Sequence, residues 1–193
     1  MNNLRRRMPN KGSTSYDYEV DYLESTGTQY IDLGLQLFTK SSGDLLFEVN
    51  VNVPGSGQTE YACILNAMYE VSPYPGIVIR YEGSDNLTDG YKTDMVQYIS
   101  KSVNRSSSSV HSVSTTLFAG YDGSGNPWRY IKMKLYSCKI YDDGVLVCDL
   151  IPVVKNNVGY LYDSVTNRLF GNLGTGNFLY GWDKITFSYT GSV

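Results

Sequence analysis

Short extended segments, separated by clusters of turn residues, recur along most of the chain and constrain its fold more than any other feature. Glycine, proline and serine cluster at 54–57, 72–76 and 122–127, and no segment shows the 3.6-residue repeat of an amphipathic helix. The 18 tyrosines and 19 glycines agree, because tyrosine suits pleated, half-buried surfaces and glycine suits tight turns. Such spacing is typical of an all-β sandwich or barrel. The candidate strands are 16–22, 28–35, 44–53, 60–66, 76–81, 92–99, 110–120, 129–141, 145–153, 158–162, 177–181 and 184–190.

The first candidate strand, 16–22, alternates tyrosine or valine at even positions with a carboxylate at every odd position. This period of two predicts a half-buried strand with its even-numbered side chains in the core. The carboxylates Asp17, Glu19 and Asp21 would bind a cation only if they converged from a curved loop. We therefore interpret them as the solvated face of the strand and expect no metal site.

The clearest hairpin in the sequence spans 135–153, around the turn Asp142-Asp143-Gly144. Leu135, Cys138 and Ile140 form its expected buried set. The step from 135 to 138 is odd, so one extra residue near Tyr136-Ser137, a β-bulge, is needed to keep all three on one face.

Three cysteines, Cys63, Cys138 and Cys148, are spaced unlike any metal-binding framework. A two-residue Asp143-Gly144 loop would put Cys138 and Cys148 on opposite faces of the hairpin, whereas a three-residue loop with a bulge would put them directly across from each other. Both arrangements stay open from the sequence. We expect reduced thiols, since the chain shows no signal for an oxidising compartment.

Charge divides the chain into a basic leader, residues 1–15, and an acidic body, predicted to be a single domain over 16–193. The whole chain carries −3 and the first eleven residues carry +4, so the remainder carries −7. An acidic body does not favour nucleic acid. We expect the leader to anchor the protein on an acidic partner surface, the alternative being a disordered terminus. The predicted anchoring residues are Leu4, Arg5, Arg6, Arg7, Met8 and Lys11.

Neither a secretory signal nor a membrane segment is visible. A signal peptide needs an apolar run of about 7–15 residues after its positive charges, but the residues after Arg7 are polar. No apolar run approaches the roughly 18 residues of a membrane helix. We therefore expect the protein to fold in a cytoplasm without contacting a membrane.

Three blocks of the sequence resemble a known module: DYLESTGTQYIDLG (21–34), KLYSCKIYDDGVLVCDLIPV (134–153) and VGYLYDSVTNRLFGNLGTGNF (158–178). They are similar, in the same order, to the opening and closing blocks of LamG-like modules in the concanavalin A-like lectin/glucanase superfamily. The resemblance implies a two-sheet antiparallel jelly-roll sandwich. Modules of this type occur in gut Bacteroidales and their phages, including phage structural proteins. The middle of the chain, 36–127, is predicted from its strand pattern alone.

The sequence predicts no catalytic residues and no cofactor, although the superfamily includes glucanases. Retaining glycosidases place two carboxyl groups about 5–5.5 Å apart, and the E-x-D-x-x-E pattern that would do so is absent here. The single histidine, His111, lies in the serine-rich segment 102–112, which we predict to be a mobile surface loop. The run GNLGTGNF (171–178) lacks the lysine and helix of a phosphate loop and is interpreted as a turn.

Glycan binding is the main alternative function, and the loop YDGSGNPWRY (121–130) has the composition for it. Exposed aromatic residues flanked by Asn, Asp and Gly suit sugar rings. The competing interpretation, which the sequence favours, is that Trp128 begins a strand and packs in the core. The candidate glycan-binding residues are Trp128, Asn126, Asp122, Tyr74 and Tyr91.

Together these features predict a non-enzymatic virion structural protein, assembled in the host cytoplasm. A capsid-decorating protein anchored by the basic leader fits best, with a fibre or tail subunit next. Its partners would be capsid or other virion proteins, with the protein present in multiple copies on a particle. A carbohydrate-binding module that mediates adhesion to glycans is the alternative.

Overall fold

The computed structural model describes residues 15–59, 61–67, 78–83, 86–122 and 124–183. Strands dominate the described residues, and helix is confined there to two short 3-10 turns, which makes the protein all-β, as predicted. The strands are β1 (Tyr18–Glu19), β2 (Tyr22–Thr26), β3 (Ile31–Asp32), β4 (Asp44–Asn52), β5 (Cys63–Asn66), β6 (Val78–Gly83), β7 (Asn86–Leu87), β8 (Val96–Asn104), β9 (Thr116–Leu117), β10 (Gly120–Tyr121), β11 (Pro127–Trp128), β12 (Lys132–Asp142), β13 (Val145–Lys155), β14 (Val158–Asp163), β15 (Arg168–Phe170) and β16 (Leu179–Gly181). Short 3-10 turns lie at Thr88–Gly90 and Ser107–Ser109.

The larger sheet has nine antiparallel strands with β12 at its centre. One side of β12 pairs with β4, which in turn pairs with β8. The other side pairs with β2 along its first half and with β13 along its second half. Beyond these, β14 and β15 continue from β13, and β16 lies beside β2.

The smaller sheet has the order β3-β9-β5-β6-β7 and shares one hydrophobic core with the larger sheet. Odd-numbered side chains of β4, from Leu45 to Val51, are fully buried, while the even-numbered ones face outward. Ile31, Ile64 and Leu117 of the smaller sheet belong to the same core cluster. Two antiparallel sheets that bury their inner faces together are consistent with a β-sandwich.

The predicted alternation over 16–22 is wrong at its end. The strand is interrupted after β1, and β2 starts at Tyr22 with opposite parity, so Leu23 is fully buried and Tyr22 only half-buried. At the interruption the Asp21 N–H bonds to the carbonyl of Gly181 at 2.9 Å instead of continuing the pairing of β1.

The other candidate strands vary in accuracy. Those at 44–53, 129–141, 145–153 and 158–162 correspond to β4, β12, β13 and β14. The candidate 110–120 is wrong, because only two-residue strands, β9 and β10, form there, separated by Phe118 with a φ of +68°. The candidate 184–190 lies outside the described residues.

The bulge predicted near Tyr136-Ser137 is confirmed. The register between β12 and β4 shifts between Leu135 and Ser137, and this shift keeps Leu135, Cys138 and Ile140 all fully buried.

The turn of this hairpin has two residues, Asp143 (φ +51°) and Gly144 (φ +77°). A second bulge, however, leaves Val147 unpaired and reverses the parity expected for Cys148. Both thiols therefore face the core, with Cys148 opposite Ile140 and Cys138 one diagonal step away. Burial raises the pKa of each thiol well above its usual range, and both cysteines are free.

A buried arginine ties this turn to the rest of the fold. The Arg105 side chain is 0% exposed; it bonds to the carboxylates of Asp142 and Asp143, and to the carbonyls of Leu37 (3.1 Å) and Ser42 (3.0 Å). The prediction that 102–112 is a mobile surface loop is wrong for this residue. The pKa of Asp142 is below its usual range, mainly because the Arg105 guanidinium bonds to its carboxylate; the Lys40 ammonium adds a smaller effect.

Candidate functional site: an aromatic cleft

The structure separates the predicted glycan-binding residues. Asp122 closes the turn between β10 and β11, because its carboxylate accepts the N–H groups of Ser124 and Asn126, both at 2.8 Å. These bonds, led by that from Asn126, lower the Asp122 pKa. Asn126 is also committed to the turn, donating its side-chain amide to Asp122 at 3.2 Å. Both side chains therefore stabilise the loop itself.

The three candidate aromatic residues have different environments. Trp128 is 37% exposed, with the Arg129 guanidinium 4.1 Å above its ring, so the favoured interpretation of a core position is wrong. Tyr91 packs against the hydrophobic core and is not among the residues that line the cleft described next. Tyr74 lies outside the described residues.

A cleft of about 320 Å³ lies beside the 121–130 loop. Its walls come from three separate parts of the sequence, namely the turn after β2, the start of β11 with Tyr130 beyond it, and the turn before β16. None of the described residues that line it is charged. They are Gly27, Thr28, Tyr30, Pro127, Tyr130, Leu173, Gly174 and Thr175.

The base of the cleft is a junction that we call the clasp, formed by residues 25–30 and 172–177. Gln29 is its centre and is only 2% exposed. Its side-chain oxygen accepts the Thr26 N–H at 2.8 Å, and its amide nitrogen donates to the Thr175 carbonyl at 3.1 Å. The main chains also pair, since the Thr175 N–H donates to the Thr28 carbonyl at 3.0 Å.

Two further contacts lock the clasp in register. The Tyr30 N–H donates to the Asn172 side chain at 3.1 Å, and the Leu173 N–H donates to the Tyr30 carbonyl at 2.9 Å. Gly174 passes so close that a Cβ there would lie 2.1 Å from the Thr28 carbonyl oxygen. Only glycine fits at this crossing, which explains the glycine at position 174 of the GNLGTGNF run.

Three tyrosines shape the aromatic wall. The Tyr30 ring makes edge contacts with Tyr121 (centroids 6.4 Å apart) and Tyr130 (6.1 Å). Tyr121 is fixed from behind, because its hydroxyl donates to Asp32 at 2.8 Å. Burial, reinforced by this bond to Asp32, raises the Tyr121 pKa far above its usual range. Tyr30 is therefore held in one orientation at the cleft.

The cleft was not predicted as a unit. The sequence pointed to the 121–130 loop, and Pro127 and Tyr130 of that loop do line the cleft, but Tyr30 and Leu173 were missed. Their positions inside the STGTQY and GNLGTGNF blocks were the available signal. Chemically, a neutral cleft with tyrosine walls and threonine hydroxyls suits a neutral ligand with apolar faces and hydroxyl groups.

The remaining sequence candidates lie apart from the cleft. The carboxylate of Asp17 accepts the Asn156 N–H at 2.7 Å, and that of Asp21 accepts the Asp183 N–H at 3.0 Å. Glu19 accepts the Tyr16 hydroxyl at 3.2 Å, so each carboxylate has its own partner. In the part of the chain that the structure describes, no group of three or more His, Cys, Asp or Glu side chains could hold a metal ion.

The two remaining sequence features are His111 and the leader. His111 stacks on Phe38 with ring centroids 4.9 Å apart and accepts the Val113 N–H at 3.2 Å. The six predicted anchoring residues of the leader, 4–8 and 11, lie outside the described residues. Among the described residues, no helix has the length and hydrophobicity that a membrane crossing requires.

No family model matches this chain, and no curated protein or solved structure is significantly similar to it. The resemblance to LamG-like modules therefore stays a prediction.

Proposed function

We propose that the protein is a non-enzymatic structural component of a bacteriophage particle, in first place a capsid-decorating protein. In this proposal the jelly-roll sandwich is the displayed body and the basic leader attaches it to another virion protein during assembly in the host cytoplasm. The observation that carries the proposal is the separation of charge, +4 in the first eleven residues against −7 in the rest. Arginine-rich segments of this kind are frequent at protein interfaces, where guanidinium groups bind carboxylates bidentately.

The geometry of the body supports attachment through the leader. The first and last described strands lie close together, since the rings of Tyr18 and Trp182 stack with centroids 6.0 Å apart. The bonds of the clasp and of Arg105 connect distant parts of the body and involve no residue of the leader.

The test is incorporation of a leader variant into particles. Arg5→Ala, Arg6→Ala and Arg7→Ala together should abolish co-sedimentation with intact phage in a density gradient while leaving the fold unchanged by circular dichroism. The matched control removes three cations from the body instead, at Lys92, Lys155 and Arg168. Full occupancy by the leader variant, or equal loss in the control, would refute anchoring by the leader.

A second function, carbohydrate binding, is favoured by the aromatic cleft. Sugar rings stack on tyrosine faces, and their hydroxyls bond to backbone and threonine groups such as those around Thr28 and Thr175. Tyr130→Ala should reduce retention of the protein on the polysaccharide that it binds best in a glycan array, while circular dichroism shows that the fold is kept despite the lost edge contact with Tyr30. Trp182→Ala removes an exposed aromatic residue that does not line the cleft and serves as the control. Equal retention of both variants would exclude the cleft as the sugar site.

A further inference from the structure

Strand β8 forms a long open edge of the larger sheet. It has nine residues and pairs with β4 without a register shift from Val96 to Asn104. Among the described residues, no strand pairs with its other side. The other described strands at sheet edges, β3, β7, β15 and β16, have only two or three residues each.

The register shows which backbone groups point away from β4. The Arg105 N–H donates to the Gly43 carbonyl at 2.8 Å, so Asp44 and Asn104 form a pair that does not exchange backbone hydrogen bonds. Because such pairs alternate with hydrogen-bonded ones, every even-numbered residue of β8 directs its N–H and C=O outward. These residues are Val96, Tyr98, Ser100, Ser102 and Asn104.

Most of the features that normally protect an open edge are missing from β8. Proteins blunt such edges with prolines, bulges, short strands or projecting lysines. β8 contains no proline and no bulge, and the ammonium of its single lysine, Lys101, is bound to Asp89 at 2.9 Å. Val96 and Tyr98, at 52% and 51% exposure, add apolar surface to the open edge.

The sequence of β8 is also compatible with pairing to itself. In an antiparallel pair centred on Ser100, that residue faces its own copy and Tyr98 faces Ser102 of the other strand. Lys101 faces Ile99, so no like charges oppose each other. Five outward residues on each strand, with one donor and one acceptor apiece, would form ten backbone hydrogen bonds.

We propose that β8 pairs with β8 of a second copy of this chain, which forms a two-fold symmetric dimer with a continuous sheet. The two-fold arrangement uses the same surface on both copies and therefore closes without further growth. This interface does not involve the leader or the cleft, so it stands or falls independently of both proposed functions.

Sedimentation equilibrium of the full chain over a wide range of concentrations tests the proposal. Ser100→Pro removes an outward N–H, leaves the hydrogen bonds to β4 intact, and puts two proline rings at the centre of the interface. Ser100→Thr retains the N–H and is the matched control. We expect the wild type and Ser100→Thr to dimerise, and Ser100→Pro to remain monomeric with an unchanged circular dichroism spectrum.

A second variant and a second measurement cover the case in which Ser100→Pro fails to fold. Ser100→Lys places two ammonium groups opposite each other at the two-fold axis and should also prevent dimerisation. In the wild type, amide hydrogen exchange of Tyr98, Ser100 and Ser102 should slow as concentration rises.

Three outcomes would overturn the proposal. The first is a wild type that stays monomeric, with fast exchange at these amides at every concentration. The second is a dimer that survives both Ser100→Pro and Ser100→Lys, which would place the interface elsewhere. The third is protection of the β8 amides only when another virion protein is added, which would assign this edge to a different partner.

Discussion

Replacing Arg105 with methionine should destabilise the protein more than any other single change of a charged residue described above. The substitution keeps an unbranched side chain of similar length but removes the guanidinium. It leaves the carboxylates of Asp142 and Asp143 and the carbonyls of Leu37 and Ser42 without their common donor.

The structure allows the size of the effect to be bounded. Removing one partner of a buried ion pair costs about 3–5 kcal/mol, because the remaining charge is left without compensation. Here the compensation is not lost entirely: Asp143 is 48% exposed and can regain water, and Asp142, only 18% exposed, keeps the Lys40 ammonium at 2.9 Å. We therefore expect a loss near the lower limit, about 3 kcal/mol, from a total stability that is typically about 5–15 kcal/mol.

Urea unfolding followed by circular dichroism measures this loss, and Lys40→Ala provides the comparison. Lys40 binds the same two carboxylates, at 2.9 and 3.4 Å, but its side chain is 55% exposed. Its loss should cost much less than the loss of Arg105, as for other surface ion pairs, because water screens both charges. If the two variants lose similar stability, burial does not decide the strength of these pairs and the reasoning is wrong.

The same variant has a pH signature. Arg105 lowers the Asp142 pKa in the folded state, so the ionised carboxylate stabilises the fold. This contribution to the free energy of unfolding is fully present above the ordinary pKa of 3.8 and is lost as the pH falls through the lowered value. The difference in stability between wild type and Arg105→Met should therefore shrink on acidification below about pH 4. A difference that is constant down to pH 2 would contradict this linkage.

Two further predictions concern the clasp and the thiols. Gly174→Ala should cost about 1–3 kcal/mol in urea unfolding, because its Cβ would lie 2.1 Å from the Thr28 carbonyl oxygen. The control is Gly125→Ala, whose Cβ meets no atom within 4 Å and adds only the strain of a φ of +80°. Equal losses of stability in the two variants would mean that the crossing at Gly174 is not tight. Cys138 and Cys148 should resist alkylation at mildly alkaline pH until the protein is unfolded, since burial raises the pKa of both thiols, and rapid labelling of the folded protein would show that the core opens there.

The hairpin around Asp143-Gly144 was predictable because the interactions that define it are local. The odd step between Leu135 and Cys138 indicated the bulge, and the turn residues indicated the reversal. The second bulge at Val147 had no comparable signal, because the apolar residues around it suit either face. The arrangement of the two thiols therefore needed the structure.

The cleft and the hydrogen bonds of Arg105 depend on contacts between distant parts of the sequence. Arg105 lies in a serine-rich run that suggests a surface loop, and its carboxylate partners are 37 and 38 residues away. Tyr30 and Leu173 meet through the clasp, which no periodic pattern reveals. Trp128 was misplaced because a tryptophan at the start of a strand is usually buried, whereas here the Arg129 guanidinium covers one face of its ring.

The clasp also has a consequence for the order in which the chain folds. Its two halves are separated by 146 residues between Gln29 and Thr175, so the carbonyl that accepts the Gln29 side-chain amide does not exist until almost the whole described chain has been made. At about 5–20 residues per second, a ribosome delivers the second half about 7–30 s after the first. The local strands β12, β13 and β14 are free to pair as soon as they emerge, whereas β2 and its turn must wait. A chain released early, without 172–177, would lack the contacts that close the body, and cellular proteases could distinguish it from the finished protein.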